Sequence, residues 1–338
     1  MPSSKLSLLK TERAILELKR HFEDRLAETL KLHRVSAPMF VAADSGIQDD
    51  LNGVEKPVSF KVKEIGDTSF EIVHSLAKWK RMALARYQIP TGEGLYTDMN
   101  ALRPDEPTIQ TGIHSVYVDQ WDWEKAITVQ DRHLDFLKDT VKEIYQVILS
   151  TEAYIASHFG LERFLPARIK FIHAEELRQK FPDLSSKERE NAICREHGAV
   201  FVIGIGGPLG DGEIHDGRAP DYDDWTTPTG EGLFGLNGDI LVFNPVLDSA
   251  FEISSMGIRV DKDALLRQLK VRNCEHRLSL PWHQLLVAEK LPLSIGGGIG
   301  QSRLSMLLLQ KKHIGEVQVS VWPESMIAAC EAEGLNIL

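Results

Sequence analysis

Toward its C-terminal end the sequence reads Ile295-Gly296-Gly297-Gly298-Ile299-Gly300-Gln301-Ser302-Arg303 and then runs into an apolar stretch, Leu304 to Leu309 apart from Ser305. Four glycines in five positions let backbone come close to a flat ligand, because no Cβ stands in the way. Arg303 falls in the first turn of the helix that follows. There a guanidinium can meet an anion beside exposed backbone N–H groups. Taken alone, the stretch is equally a glycine-rich strand-to-helix turn with a surface arginine. It is not a phosphate loop, since no Gly-Lys-Ser/Thr follows. It also lacks the strand–GxGxxG–helix setting of a dinucleotide fold. Three cations in four residues, Lys78, Lys80 and Arg81, form a second candidate, for which a solvated helix face is the ordinary explanation.

Composition narrows the classes. The chain has 338 residues, 43% of them hydrophobic, enough for a sizeable core. A formal net charge of −10 argues against nucleic acid as the main partner, because phosphate neutralisation needs a basic face. The three cysteines, Cys194, Cys274 and Cys330, lie far apart with no metal-type spacing, and read as reduced thiols of a cytoplasmic protein. The start carries no secretory pattern, and no run of 18 apolar residues offers a membrane span.

The elements that must position these residues follow from periodicity. Ile15, Leu18, Phe22, Leu26 and Leu30 recur every three or four residues and predict a helix over residues 5–32. A strand from Val35 to Phe40 should follow, with Pro38 at its edge. Residues 57–62 and 69–73 alternate as an antiparallel pair, and a helix opens near His74. Strands are expected from Gly92 toward Leu102, ahead of a proline-marked loop, and over 114–124, the latter with Gln120 and Asp122 on one face. A second long helix covers residues 131–159. Strand, helix and helix fill residues 168–198, and Ala199–Ile203 is a buried strand. About 35 residues without structure then follow, a length that is often functional. Two antiparallel strands (238–243 and 251–259), short helices (261–270 and 281–290), the glycine stretch and a last strand (317–321) complete the chain. Residues 324–338 read as a weakly constrained tail. The pattern is one α+β domain, residues 1–338, built on a mostly antiparallel sheet flanked by helices.

Three features in this order resemble the catalytic core of the class II aminoacyl-tRNA synthetases. They are the long helix and strand ending near Pro38, Arg103-Pro104-Asp105-Glu106 after a strand, and the glycine run ending in Arg303. Longer blocks narrow the resemblance to the ammonia-dependent asparagine synthetases, the aspartate–ammonia ligases. These blocks are Gln48-Asp49, His74 to Arg81, Ala101 to Glu106, His114 to Glu124, Arg218 to Trp225, Leu236 to Asp239 and Gly296 to Arg303. The similarity runs from about residue 5 to about residue 323.

The resemblance implies ATP-dependent amidation of L-aspartate by ammonia through a β-aspartyl adenylate, with release of AMP and diphosphate. It implies that Arg103 and Arg303 flank the phosphates, with Glu106, Glu252 and the glycines Gly296, Gly298 and Gly300 against the nucleotide. It implies Mg²⁺ on Asp239 and Glu252, each of which alone is as easily a strand-edge salt bridge. For the amino acid it implies cations and an amide toward carboxylates (Lys80, Gln120, Arg259), carboxylates toward the ammonium group (Asp49, Asp122, Asp223), and Ser75 and Ser255 as polar liners. Asp49 or Asp223 would take the proton that ammonium must lose. A homodimer through the N-terminal helix is implied as well. The nitrogen donor can be argued separately. A glutamine-using enzyme usually needs a nucleophilic cysteine at an exposed N-terminus, whereas position 2 here is proline. The rivals are an aspartyl- or asparaginyl-tRNA synthetase, for whose anticodon domain the chain has no room, and a synthetase-derived binding protein without catalysis.

Overall fold

The computed structural model describes residues 6–49, 51, 55–105 and 112–338, so Glu106 lies outside the described residues. Helix α1 (Leu8–Leu30) presents Ala14, Leu18, Phe22, Leu26 and Leu30 on one stripe, all fully buried. It closes on Lys31 in the left-handed conformation (φ 60°), whose N–H reaches the Ala27 carbonyl. Next come β1 (Leu32–Arg34) and β2 (Phe40–Ala42), with Pro38 between them. The strand expected from Val35 to Phe40 is therefore not formed apart from Phe40: that span is the link between two strands. Pro38 has no N–H to give a ladder, and the chain leaves one sheet for another on either side of it. β3 (Ser59–Lys61) and β4 (Ser69–Ile72) pair antiparallel as expected and join β2 in a small sheet of order β2-β4-β3.

Helix α2 (Ala77–Arg86) precedes β5 (Gly94–Leu102) and β6 (Tyr117–Ala126). Helix α3 (Leu134–Phe159), β7 (Lys170–His173), α4 (Ala174–Lys180), α5 (Ser186–His197) and β8 (Ala199–Ile203) then follow the expected order closely. The long connection beyond β8 contains a short hairpin, β9 (Pro228–Gly230) with β10 (Leu233–Phe234), so it is not structureless throughout. β11 (Asn237–Asn244), β12 (Ser249–Ile258), α6 (Lys262–Val271) and α7 (Pro281–Val287) lead to β13 (Ser294–Gly300), α8 (Gln301–Leu308) and α9 (Glu324–Ala332).

The main sheet has the order β1-β5-β6-β13-β12-β11-β8-β7. Only its two outer pairs, β1 with β5 and β7 with β8, are parallel. One face is covered by α1, α3 and α8 over Trp121, Trp123, Met256, Ile258, Ile295 and Ile299. Three expectations change. The glycine run is not a turn: Gly296 to Gly298 lie inside β13, in the middle of the sheet. Residues 317–321 alternate as a strand would, but they follow a short 3₁₀ turn (Ile314–Glu316) and join no ladder; Val319 and Val321 face outward. The tail is not loose, since α9 buries Met326 and Cys330 and the Leu338 N–H bonds the Gly315 carbonyl. No described helix is long and apolar enough to cross a membrane.

Phe22 is the point where α1 grips the sheet, its ring centroid 4.4 Å from that of Trp121. Phe22→Ala leaves a cavity beneath that contact and should destabilise the chain by about 3–5 kcal/mol. Urea unfolding measures this directly, and a loss below about 1 kcal/mol would mean that α1 is not seated as described.

Candidate active site

The sheet's other face carries the polar side chains, and register explains why they converge. Thr97, Asp122, Gly298, Ser255 and Asp239 are successive partners across β5, β6, β13, β12 and β11. The neighbouring row holds Leu95, Glu124, Gly296, Gly257 and Asn237. Strand alternation places Gln120, Asp122 and Glu124 of β6 on this same face. Strict alternation alone would turn Glu252 away. A bulge between Ile240 and Leu241 corrects it: Ile240 opposes Ser254 and Leu241 opposes Glu252, so Ile253 is the unpaired extra residue. Glu252 thereby joins the face of Asp239 and Ser255.

Above these rows lies a cleft of about 370 Å³. Of the residues expected at a site, Asp49, Ser75, Lys80, Gln120, Asp122, Asp223, Ser255 and Arg259 line it, together with Arg103, Glu252, Gly298, Gly300 and Arg303. Gly296 and Asp239 lie beneath it, not on its surface. The glycines serve the side chains more than they serve a ligand. A Cβ on Gly296 would stand 2.0 Å from Glu124 Oε2, and one on Gly298 would stand 2.4 Å from Gln120 Oε1. Only Gly300, with the Arg303 stem 3.1 Å from where its Cβ would be, borders the arginine expected to meet phosphate.

The centre of the floor is a chain of alternating charges. Lys80 Nζ donates to Asp122 Oδ1 and to the Gly297 carbonyl (2.9 Å), and lies 4.0 Å from Glu124 Oε2. Glu124 accepts from Arg259 Nη2 at 2.9 Å and Nε at 3.0 Å, and from Ser294 Oγ at 2.7 Å. Arg259 Nη1 in turn donates to Asp223 Oδ1. All five charged groups are at least 97% buried. Burial pushes the Asp223 carboxyl above its usual range even though Arg259 pulls the other way. For Glu124 burial also acts upward, but Arg259 and Lys80 outweigh it and hold the group low.

At one end of the floor, Asp49 accepts from Ser75 Oγ at 2.6 Å and from the Leu51 N–H at 3.0 Å. Gln48 fixes that loop through the Asp49 and His74 N–H groups. At this same end Arg103 donates to the His74 carbonyl at 2.9 Å, and elsewhere on the wall Arg303 Nη1 lies 3.5 Å from Glu252 Oε2. The amide of Ser302, in the first turn of α8, already donates to Asp119 Oδ1 at 3.0 Å. A side chain thus takes part of the anion-binding capacity expected of that helix end.

Asp239 and Glu252 suit a hard divalent ion. Asp239 Oδ1 is buried with no hydrogen-bond partner among the described residues, and its other oxygen pairs with Arg218 Nη2. Burial, with Glu252 nearby, pushes the Asp239 carboxyl up to about 6 despite Arg218. No group of three or more metal-type side chains occurs among the described residues. Three participants stand in motif blocks named from the sequence but were given no role there. Glu124 closes the block from His114, and the i, i+2, i+4 spacing with Gln120 and Asp122 was its available signal. His114 opens that block and Arg218 opens the one running to Trp225, both on irregular backbone that no periodicity marks.

The aspartate–ammonia ligase family model matches residues 9–334. The chain is 57% identical over 334 residues to the aspartate–ammonia ligase of Clostridium perfringens strain SM101, covering 98% of this chain and 96% of that one. This chain belongs to the aspartate–ammonia ligase family. It is also 54% identical over the same length to the aspartate–ammonia ligase of Bacteroides fragilis strain ATCC 25285, again covering 98% and 96%. Among solved structures it resembles asparaginyl-tRNA synthetase of Pyrococcus horikoshii complexed with asparaginyl-adenylate (TM-score 0.67, 17% identity, 93% of this chain and 70% of that one). The corresponding Entamoeba histolytica complex gives a TM-score of 0.64 at 16% identity, covering 92% and 66%. Those likenesses carry the fold: a class II aminoacyl-tRNA synthetase-like catalytic domain.

His114 at the cleft wall has its pKa lowered to about 4, first by burial and then by Arg303. The folded chain then binds fewer protons than the unfolded one between about pH 4 and the ordinary 6.5. Stability should rise with pH through that window and be lost as pH falls through it. His114→Gln should flatten this part of the profile. Urea midpoints from pH 4 to 7 that fall in parallel for both proteins would remove His114 as the cause.

Proposed function

We propose that the cleft activates the side-chain carboxylate of L-aspartate with ATP and passes the acyl group to ammonia, giving L-asparagine, AMP and diphosphate. The observation that carries this reading is the buried charge chain Asp122–Lys80–Glu124–Arg259–Asp223. It offers two cations and the Gln120 amide for two carboxylates, and acids for one ammonium group, beside an arginine-flanked compartment. A dicarboxylic amino acid matches that pattern of charges. Aspartate enters by exchange: its carboxylates take up donors that Asp122, Glu124 and Asp223 hold in the free chain. Arg303 and Arg103 then face the triphosphate, where adenylyl transfer needs positioning and charge stabilisation more than covalent help.

Asp239 and Glu252 would hold Mg²⁺, which when bound neutralises and orients phosphate oxygens. Glu106 keeps its expected place near the nucleotide as part of this reading. For the ammonium proton we assign Asp49, because Asp223 is committed to Arg259 whereas, among the described residues, Asp49 accepts from a hydroxyl and a backbone N–H. Ammonia is the donor in this reading. Cys194 is buried, its thiol is pushed up to about 12 by burial, and it cannot serve as the thiolate a glutamine-using site needs. A homodimer in the cytoplasm also belongs to the reading. Its interface would need a different face of α1 from the buried stripe, such as the one carrying exposed Leu9 and Leu16.

The test is labelled aspartate with ATP, Mg²⁺ and ammonium chloride. Asparagine and AMP should appear in equal amounts, and Arg303→Ala should lower the rate by roughly 10²–10³-fold. ADP in place of AMP, or glutamine working as well as ammonium, would overturn the scheme. On preformed aspartyl adenylate, Asp49→Asn should slow amide formation most where ammonium predominates, with relief as pH rises. Undiminished aminolysis by this variant would remove Asp49 as the base.

A further inference from the structure

The long loop between β8 and β11 carries Arg218 into the cleft wall beside Asp216, Glu252 and Arg303. Its Nη1 donates to the Gly217 carbonyl at 2.7 Å and lies 3.5 Å from Asp216 Oδ2. Its Nη2 donates to Asp239 Oδ2. The two side chains are 12% and 5% exposed. Yet the pair is only half satisfied. Arg218 Nε and Asp239 Oδ1 are both buried with no hydrogen-bond partner among the described residues. A buried donor and a buried acceptor left unused are each costly, and more so in one ion pair.

The two partners differ in how firmly they are held. Asp239 sits in β11, paired on both sides, with Ser255 across one ladder and Val202 across the other. Arg218 sits on irregular backbone, and its side chain borders open cleft. If the pair opens, Arg218 is the partner that moves. What the leftover atoms ask for is also specific. Arg218 wants acceptor oxygens and Asp239 wants a cation. A lone anion would leave Asp239 worse off, and a lone divalent ion would be repelled by the guanidinium already there. A divalent cation carried on a phosphoanhydride supplies both at once.

We infer that Arg218 is a placeholder for the metal: its guanidinium holds Asp239 in the nucleotide-free chain and moves onto phosphate oxygens when a metal–triphosphate arrives. This rests on the nucleotide site proposed above and adds to it an order of binding and a phosphate-contacting residue. Metal and nucleotide bind as one unit because each satisfies one half of the pair that the other would leave bare.

Mn²⁺, followed by electron paramagnetic resonance, is the probe, and calorimetry reads ATP. The wild-type chain should bind Mn²⁺ weakly alone and at least about tenfold more tightly with ATP, a coupling of ordinary allosteric size. Arg218→Gln should raise nucleotide-free Mn²⁺ affinity about tenfold, weaken ATP about tenfold and so abolish most of the coupling. Asp239→Asn should lose the tight Mn²⁺ site in both states. Should Arg218→Gln not fold, Arg218→Lys keeps the charge on Asp239 but lacks the fork: Mn²⁺ stays weak and ATP still loosens. The inference is overturned by a folded Arg218→Gln that binds nucleotide-free Mn²⁺ no better than wild type. It is equally overturned by Arg218→Lys at wild-type ATP affinity, or by Asp239→Asn with its Mn²⁺ site intact. Wild-type AMP and asparagine formation is scored separately, so these outcomes remove the placeholder and leave the proposed reaction standing, whereas absent AMP removes the reaction itself.

Discussion

Everything about this cleft depends on keeping Lys80 and Arg259 charged in a place with almost no water. Removing either cation from solvent costs several kcal/mol, and each is tolerable only because carboxylates and backbone carbonyls surround it. Glu124 is the hinge of that arrangement: it takes both Arg259 nitrogens and stands 4.0 Å from Lys80, with Ser294 filling a further acceptor site. The carboxylates outnumber the cations by one, so the free chain has spent its positive charge internally. In the proposed reading a substrate carboxylate takes over a place already built for one. This favours ligands whose own charges repeat the pattern and penalises those that leave Glu124 or Asp223 bare.

Much of this was legible beforehand. The buried stripe of α1, the order of strands and helices, and most of the cleft lining followed from periodicity and from long motif blocks. What was lost has identifiable causes. The glycine run looks like a turn because glycine is rare in strand interiors. It stands there because Glu124 and Gln120 on the neighbouring strand need the volume, a pairwise fact that no single segment displays. Residues 317–321 alternate as a strand, but alternation cannot say whether a ladder partner exists. Arg218 was quoted at the head of a motif block but given no role, because the two unused atoms of its pair with Asp239 show only in the coordinates.

The division of labour across the cleft follows from the same geometry. In the proposed reading the groups offered to the amino acid come both from packed elements (Lys80 of α2, Gln120 and Asp122 of β6, Ser255 of β12) and from connecting backbone (Asp49, Ser75, Asp223, Arg259), and those offered to the nucleotide come from strand ends, the first turn of α8 and a loop. The class II synthetase-like sheet carries α1, α3 and α8 over one face; on the other, α4 and α5 cover the end at β7, β8 and β11, and α2 covers the end at β5 and β6.

The unpaired Ile253 has a consequence beyond re-aiming one carboxylate. It makes β12 a strand of two parities: from Ser255 onward the odd-numbered residues lie on the cleft side, and up to Glu252 the even-numbered ones do. The helix-covered core reads the complementary set in each half. Loss of that one residue would not shorten the strand so much as reverse the meaning of its first half, sending Glu252 toward α1 and α3 and Phe251 toward α5. The spacing between Glu252 and Ser255 is therefore written as an odd count, and length at this point is under tighter constraint than side-chain identity.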